Sequence, residues 1–129
     1  MSEIKLSRRI RLGMVGGGQG SLIGEAHRIA SRLDDKYEFC AGSLSSDPAR
    51  SMASAKEIGL SLDRSYSDYT EMANSEAARD DGIDVVAVVT PNHTHYAIAK
   101  TFLEAGIHVI CDKPMTLTVE EADSLRELS

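Results

Sequence analysis

Ile10-Arg11-Leu12-Gly13-Met14-Val15-Gly16-Gly17-Gly18-Gln19-Gly20-Ser21-Leu22-Ile23-Gly24 decides the fold. The apolar run from Ile10 to Val15 ends in glycines, and Ala26, Ile29, Ala30 and Leu33 then recur at the spacing of one helical face. Strand, glycine turn and helix, in that order, form the unit in which a backbone comes close to a pyrophosphate and a helix N-terminus offers it unpaired N–H groups. The strict G-x-G-x-x-G spacing is not kept. Gly16 and Gly18 fit the first two glycines, the third position falls on Ser21, and Gly24 stands as a displaced third glycine. Glycines alone are equally consistent with a flexible turn, but their place between a strand and a helix predicts a nucleotide site.

Beyond this unit, Tyr37 to Leu44 is a second strand-like run. Asp47 can cap a following helix that has Pro48 in its first position and Gly59 as its stop. Around Tyr66 there is at most a short third strand, and Asp68 with Glu71 resembles a helix entry that runs to about Arg79. Ile83 to Val89 is nearly continuous and β-branched, as a strand covered on both faces of a parallel sheet should be, and marks the centre of that sheet. Ile98, Phe102 and Ala105 then define a helix ending at Gly106, Ile107 to Cys111 a fifth strand, and Thr118 with Glu121 a capping box for a helix containing Ala122, Leu125 and Leu128.

The order is β-α repeated five times, which predicts an α/β, doubly wound parallel sheet of the Rossmann type as one domain over residues 1–129. Dinucleotide folds of this kind use six strands, so the last strand and a substrate domain are expected to be absent from this chain. The fifth strand would then be a bare sheet edge beside uncovered apolar surface, which predicts self-association into a homo-oligomer.

Composition narrows the function. The 14 Lys and Arg against 20 Asp and Glu give a net charge of −6, which argues against a surface made for nucleic acid or an anionic membrane, though not against one small anionic ligand. The 42% hydrophobic and 26% charged content is ordinary for a globular domain. Cys40 and Cys111 form no CxxC pair and no dense disulfide framework, which fits a reducing compartment. The basic N-terminal residues Lys5, Arg8, Arg9 and Arg11 are followed by apolar residues that break at Gly13 and Gly16 to Gly18, too soon for a secretory leader. The longest apolar run, Val85 to Val89, is too short to cross a bilayer. A cytoplasmic location is expected.

Three loops should meet at the edge where strand order reverses. No acid stands at the end of the second strand, Ala41 to Ser46, to bind the adenosine ribose hydroxyls of NAD; Ser45, Ser46 and Arg50 are near instead, and could hold the 2′-phosphate of NADP, so the choice within NAD(P) leans to NADP. Thr90-Pro91-Asn92-His93-Thr94-His95 follows the central strand and faces the glycine loop, and Cys111-Asp112-Lys113-Pro114 reaches the same edge. His93, His95, Cys111 and Asp112 include N, S and O donors, but lack a second pair at fixed spacing, so no metal site is assigned. His108, inside a strand, is expected to be a satisfied core histidine, and His27 a structural or supporting group.

The loop ending in Gly24-Glu25-Ala26-His27, the T-P-N-H-x-H loop and the D-K-P turn together resemble the cofactor domain of the Gfo/Idh/MocA oxidoreductases, over essentially the whole chain from Arg9. In that family the turn after the fifth strand usually reads E-K-P, with its lysine near the nicotinamide and the substrate hydroxyl. The resemblance implies that Lys113 is catalytic and cofactor-binding, with Asp112 in place of the usual Glu; by spacing alone a Lys-Pro pair is better read as a surface turn. A desolvated ammonium there can orient the reacting hydroxyl and exchange a proton with it. The resemblance also implies that Pro91, Asn92 and His95 run along the nicotinamide ribose and that Gly16, Gly18 and Gly24 lie at the pyrophosphate.

The function so implied is the cofactor-binding domain of an NAD(P)-dependent oxidoreductase that moves hydride between nicotinamide and a hydroxyl or carbonyl of a sugar or cyclitol. The family's remaining catalytic groups, commonly an Asp and a His on one helix, belong to a second domain, so this chain is expected to bind cofactor but to turn over substrate poorly alone. A non-catalytic NAD(P)-binding regulator or scaffold would use the same crevice, although retention of Lys113 favours the enzyme. An S-adenosylmethionine-dependent methyltransferase shares the strand–glycine–helix opening but has no use for the T-P-N-H and D-K-P loops.

Overall fold

The structure, a computed structural model, describes residues 7–129. Lys5, the first of the N-terminal basic residues, lies outside them. Four parallel strands, β1 (Ile10–Gly16), β2 (Tyr37–Ser43), β3 (Val85–Val89) and β4 (His108–Cys111), form one sheet in the order β2-β1-β3-β4. From β1 the chain builds outward to β2, then returns to place β3 on the other side of β1. The C-terminal ends of β1 and β3 therefore flank the switch point, where loops leave in opposite directions and open a crevice.

Helices α1 (Leu22–Arg32), α2 (Pro48–Ile58), α3 (Tyr69–Ala77), α4 (His95–Glu104) and α5 (Val119–Leu128) connect or follow the strands. Local chemistry sets their ends. Asp47 accepts a hydrogen bond from the Ala49 N–H at 3.1 Å, Pro48 opens α2, and Gly59 closes it in the left-handed conformation at φ 76°. Asp68 caps α3 in the same way, and at α5 the Thr118 hydroxyl accepts from the Glu121 N–H while the Glu121 carboxylate accepts from the Leu117 N–H.

Strand β3 is buried at all five positions, between two apolar layers. Val86 and Val88 join Met72, Ile98, Phe102 and Ile107 on one face, while Val85, Ala87 and Val89 join Leu12, Met14, Leu44 and Leu60 on the other. Placing Ile83 to Val89 at the sheet's centre thus agrees with the structure.

Two expectations are corrected. The third strand near Tyr66 is reduced to a single bridge between Gly42 and Ser65, so among the described residues the sheet has four strands rather than five. Leu62–Arg64 turns into a 3-10 helix, and the segment is anchored by side chains: Arg64 and Tyr66 both bind the buried Glu76 carboxylate. His108 is an exposed residue of β4 rather than a core histidine; the buried histidine is His95, 1% exposed. The apolar side of α1, which the helical spacing marks out, is uncovered: Ile29 and Leu33 are 44% and 77% exposed. Polar and backbone contacts hold α1 instead: Arg28 donates to the Gly17 carbonyl at 2.7 Å, and only Gly24 is buried.

Candidate functional site

Loops from the ends of β1, β2 and β3 wall a cleft of about 630 Å³, in the range of small-molecule and cofactor sites. Gly16, Gly17 and Ser21 form one side. Ser43 to Ser46 and Ser67 to Tyr69 form the floor, and Thr90, Pro91, His93 and Thr94 the opposite side.

The glycine loop is shaped by close approaches. A Cβ on Gly24 would lie 2.5 Å from the Cα of Gly17, so this pair lets the first turn of α1 press directly onto the loop. That is the helix-packing role of the third glycine in a dinucleotide loop. Ser21 caps the helix, its hydroxyl accepting from the Gly24 N–H at 3.1 Å, which leaves the N–H groups of the first turn directed at the loop. On the far side, the Gln19 N–H donates to the Ser54 hydroxyl at 3.0 Å and ties the loop to α2.

Of the other candidate residues, Ser45, Ser46 and Pro91 line the cleft. Arg50, on the first turn of α2, is exposed and is not part of the cleft wall; Asn92 is exposed in a 3-10 turn, Asn92–Thr94. His95 does not face the cleft. Its Nδ1 meets the Pro114 carbonyl at 2.7 Å and its Nε2 the Thr90 carbonyl at 2.9 Å, so a neutral ring donates to one of them and a protonated ring to both. Lys113 is exposed, so the desolvated ammonium expected from sequence is not found within these residues; the Lys113–Pro114 peptide is cis. His27 binds Asp112, Nε2 to Oδ1, at 2.8 Å, and thereby joins α1 to the turn that carries Lys113.

Sequence reasoning missed Gly17, Ser21 and the Ser67–Tyr69 wall. A serine three residues before Gly24 at a helix start was a capping signal open to reading. The wall was not legible, because it depends on how Glu76 pulls the Tyr66 segment inward. No group of three or more His, Cys, Asp or Glu among the described residues is placed to hold a metal, and no helix among them is long and apolar enough to cross a membrane. Burial pushes both free thiols, Cys40 and Cys111, above their usual range.

A second cavity of about 450 Å³ lies between α1 and α2 on the other side of the glycine loop; Gly17 to Leu22 line it together with Arg28, Arg32 and Glu57, and Gly18 faces this cavity rather than the cleft. No other strand-end loop borders it, so the cleft at the switch point is the candidate site.

The family model described as "Oxidoreductase family, NAD-binding Rossmann fold" (Gfo/Idh/MocA) matches residues 10–129. The chain belongs to this family. It is 41% identical to the oxidoreductase YfiI of Bacillus subtilis over 125 residues, covering 96% of this chain and 32% of that protein. An oxidoreductase structure from Sinorhizobium meliloti superposes with a TM-score of 0.88 at 58% identity, covering 95% of this chain and 34% of the other. An inositol dehydrogenase homolog from Azotobacter vinelandii, complexed with NADH and myo-inositol, gives a TM-score of 0.91 at 45% identity, with 95% and 32% covered. The chain spans about a third of the length of these Gfo/Idh/MocA relatives.

Proposed function

We propose that this chain is the dinucleotide-binding domain of an NAD(P)-dependent dehydrogenase acting on a sugar or cyclitol hydroxyl, with the substrate-binding half in a separate domain. The observation that carries this is the cleft at the switch point: the capped N-terminus of α1 closes one side of it, and the Thr90–Thr94 loop, which His95 bonds to the turn bearing Lys113, closes the other. The Azotobacter homolog, solved with NADH and myo-inositol, supports the choice of substrate class.

The loop backbone fits a pyrophosphate, because Gly16 and Gly17 bring main chain to the cleft wall and α1 points its positive end at it. Bound nicotinamide supplies the hydride donor or acceptor. Gly18 and Gly24 shape the pyrophosphate loop, Pro91 and Asn92 flank the nicotinamide ribose, and His95 supports that loop from beneath. Lys113 holds the reacting hydroxyl and exchanges its proton. In the whole protein, Lys113→Ala lowers kcat/KM by about 10³-fold, in the range for a lost proton-transfer group. The 129-residue chain alone binds dinucleotide without measurable polyol oxidation. Steady-state assays of both check this; retention of a tenth or more of the activity would remove Lys113 from the chemistry.

Ser45 and Ser46 leave the adenosine end without a carboxylate at the end of β2, and Arg50 stands on the adjacent turn, so NADP(H) is preferred over NAD(H). Arg50→Ala weakens NADPH by about tenfold and NADH by less than about twofold. Calorimetric titrations with both cofactors decide it: NADH binding the parent chain more tightly would mean that the serines simply replace the acid as ribose partners.

A further inference from the structure

We propose that His27 and His95 are positioning residues that clamp the Lys113 turn to both walls of the cleft. Lys113 is exposed, and none of the ion pairs formed among the described residues involves it. Its two neighbours, by contrast, are both tied down. The Asp112 carboxylate meets the His27 ring at 2.8 Å, and the Pro114 carbonyl meets the His95 ring at 2.7 Å.

The two histidines come from different sides. His27 lies on α1, the helix whose N-terminus closes the glycine loop, whereas His95 begins α4 and also binds Thr90 where β3 ends. A lysine on an ordinary surface turn needs neither anchor. Burying the His95 ring to 1% exposure is costly unless its N–H finds an acceptor; the acceptors it meets are the Thr90 carbonyl, before Pro91, and the Pro114 carbonyl, directly after Lys113, one for a neutral ring and both for a protonated one. The arrangement fixes where the ammonium can reach while leaving it free, and it makes the lysine's position depend on α1, so that dinucleotide binding at the helix N-terminus and Lys113 placement are linked. This rests on the dinucleotide assignment above.

The test uses the chain with His27→Ala, His27→Gln and Asp112→Ala, at half-buried positions, each checked by thermal unfolding against the parent. Glutamine keeps a nitrogen near the Nε2 position that can still donate to Asp112. Without ligand, amide exchange in residues 112–116 should quicken about tenfold in His27→Ala and Asp112→Ala and return toward the parent rate in His27→Gln. With saturating NADPH, or NADH, acetylation of Lys113 in the parent should slow about fivefold relative to Lys56 in the same molecule, and His27→Ala should lose most of that protection while still saturating. Unchanged exchange in His27→Ala, equal protection at saturation, or failure of glutamine to rescue would overturn the clamp. A parent chain that binds neither dinucleotide would instead remove the cofactor assignment, and the exchange rates would then decide the clamp alone.

Discussion

Gly18→Val lowers the affinity of the chain for NADPH and NADH about a hundredfold, ~2.7 kcal/mol of binding free energy. A Cβ at this position would sit 2.7 Å from the Leu44 carbonyl oxygen and 2.9 Å from the Ser54 hydroxyl, closer than Cβ atoms approach such groups. The Leu44 backbone belongs to the buried end of the β2 segment and cannot retreat, so the glycine loop must lift away. Lifting it breaks the Gln19 contact with Ser54 and displaces the backbone of Gly17 and Ser21, both of which wall the cleft. The sequence placed Gly18 where a pyrophosphate would pass. The structure gives a different reason for its smallness, namely contact with the protein's own β2 end. Calorimetry on parent and variant, with thermal unfolding to confirm that both fold, reads the effect; equal affinities would detach this loop from cofactor binding.

Glu76→Ala costs the fold about 3–5 kcal/mol, the range for removing one partner of a buried ion pair. The Glu76 carboxylate is 1% exposed and accepts from the Arg64 guanidinium, from the Tyr66 hydroxyl at 2.6 Å and from the Ile83 N–H at 3.2 Å. Alanine leaves the Tyr66 hydroxyl and the Ile83 N–H without this acceptor and the 9% exposed Arg64 charge with only Asp81, whose carbonyl lies at 3.1 Å and whose carboxylate lies at 3.8 Å. Burial, and then the bond to Glu76, push the Tyr66 hydroxyl well above its usual range, so it stays a donor at any ordinary pH and cannot relieve the loss by ionising. Because domains of this size are stable by only about 5–15 kcal/mol, the loss is a large share of the total. Urea unfolding measures it, and a change below about 1 kcal/mol would mean that the cluster is not the anchor of the Tyr66 segment.

These two residues mark what could be read from sequence and what could not. The glycine loop, the buried β3 and the capped helices follow from local rules: glycines between strand and helix, a β-branched run, Asp or Thr ahead of an amphipathic stretch. Glu76 carried no such signal, since a lone glutamate in a polar helix reads as solvated, and its burial is decided by Arg64 and Tyr66 folding back over α3. The same dependence on distant partners hid the missing third strand. It also hid the histidines: His108 sits in a strand but on the uncovered side of the edge strand β4, while His95, in an apparent loop, is buried beneath two backbones. The side of α1 bearing Ile29 and Leu33 has a helical period without burial, because periodicity states which side is apolar and not whether anything covers it.

The proposed function puts a dinucleotide in the cleft at the switch point. Titration of the isotopically labelled chain with NADPH, followed through backbone amide shifts, tests it most directly. Saturable changes are expected at Gly16 to Ser21, Ser43 to Ser46, Asn92 to Thr94 and Asp112 to Lys113. An absence of saturation, or changes confined to the glycine loop, Arg28, Arg32 and Glu57 with Ser43 to Ser46 and Asn92 to Thr94 unmoved, would contradict it.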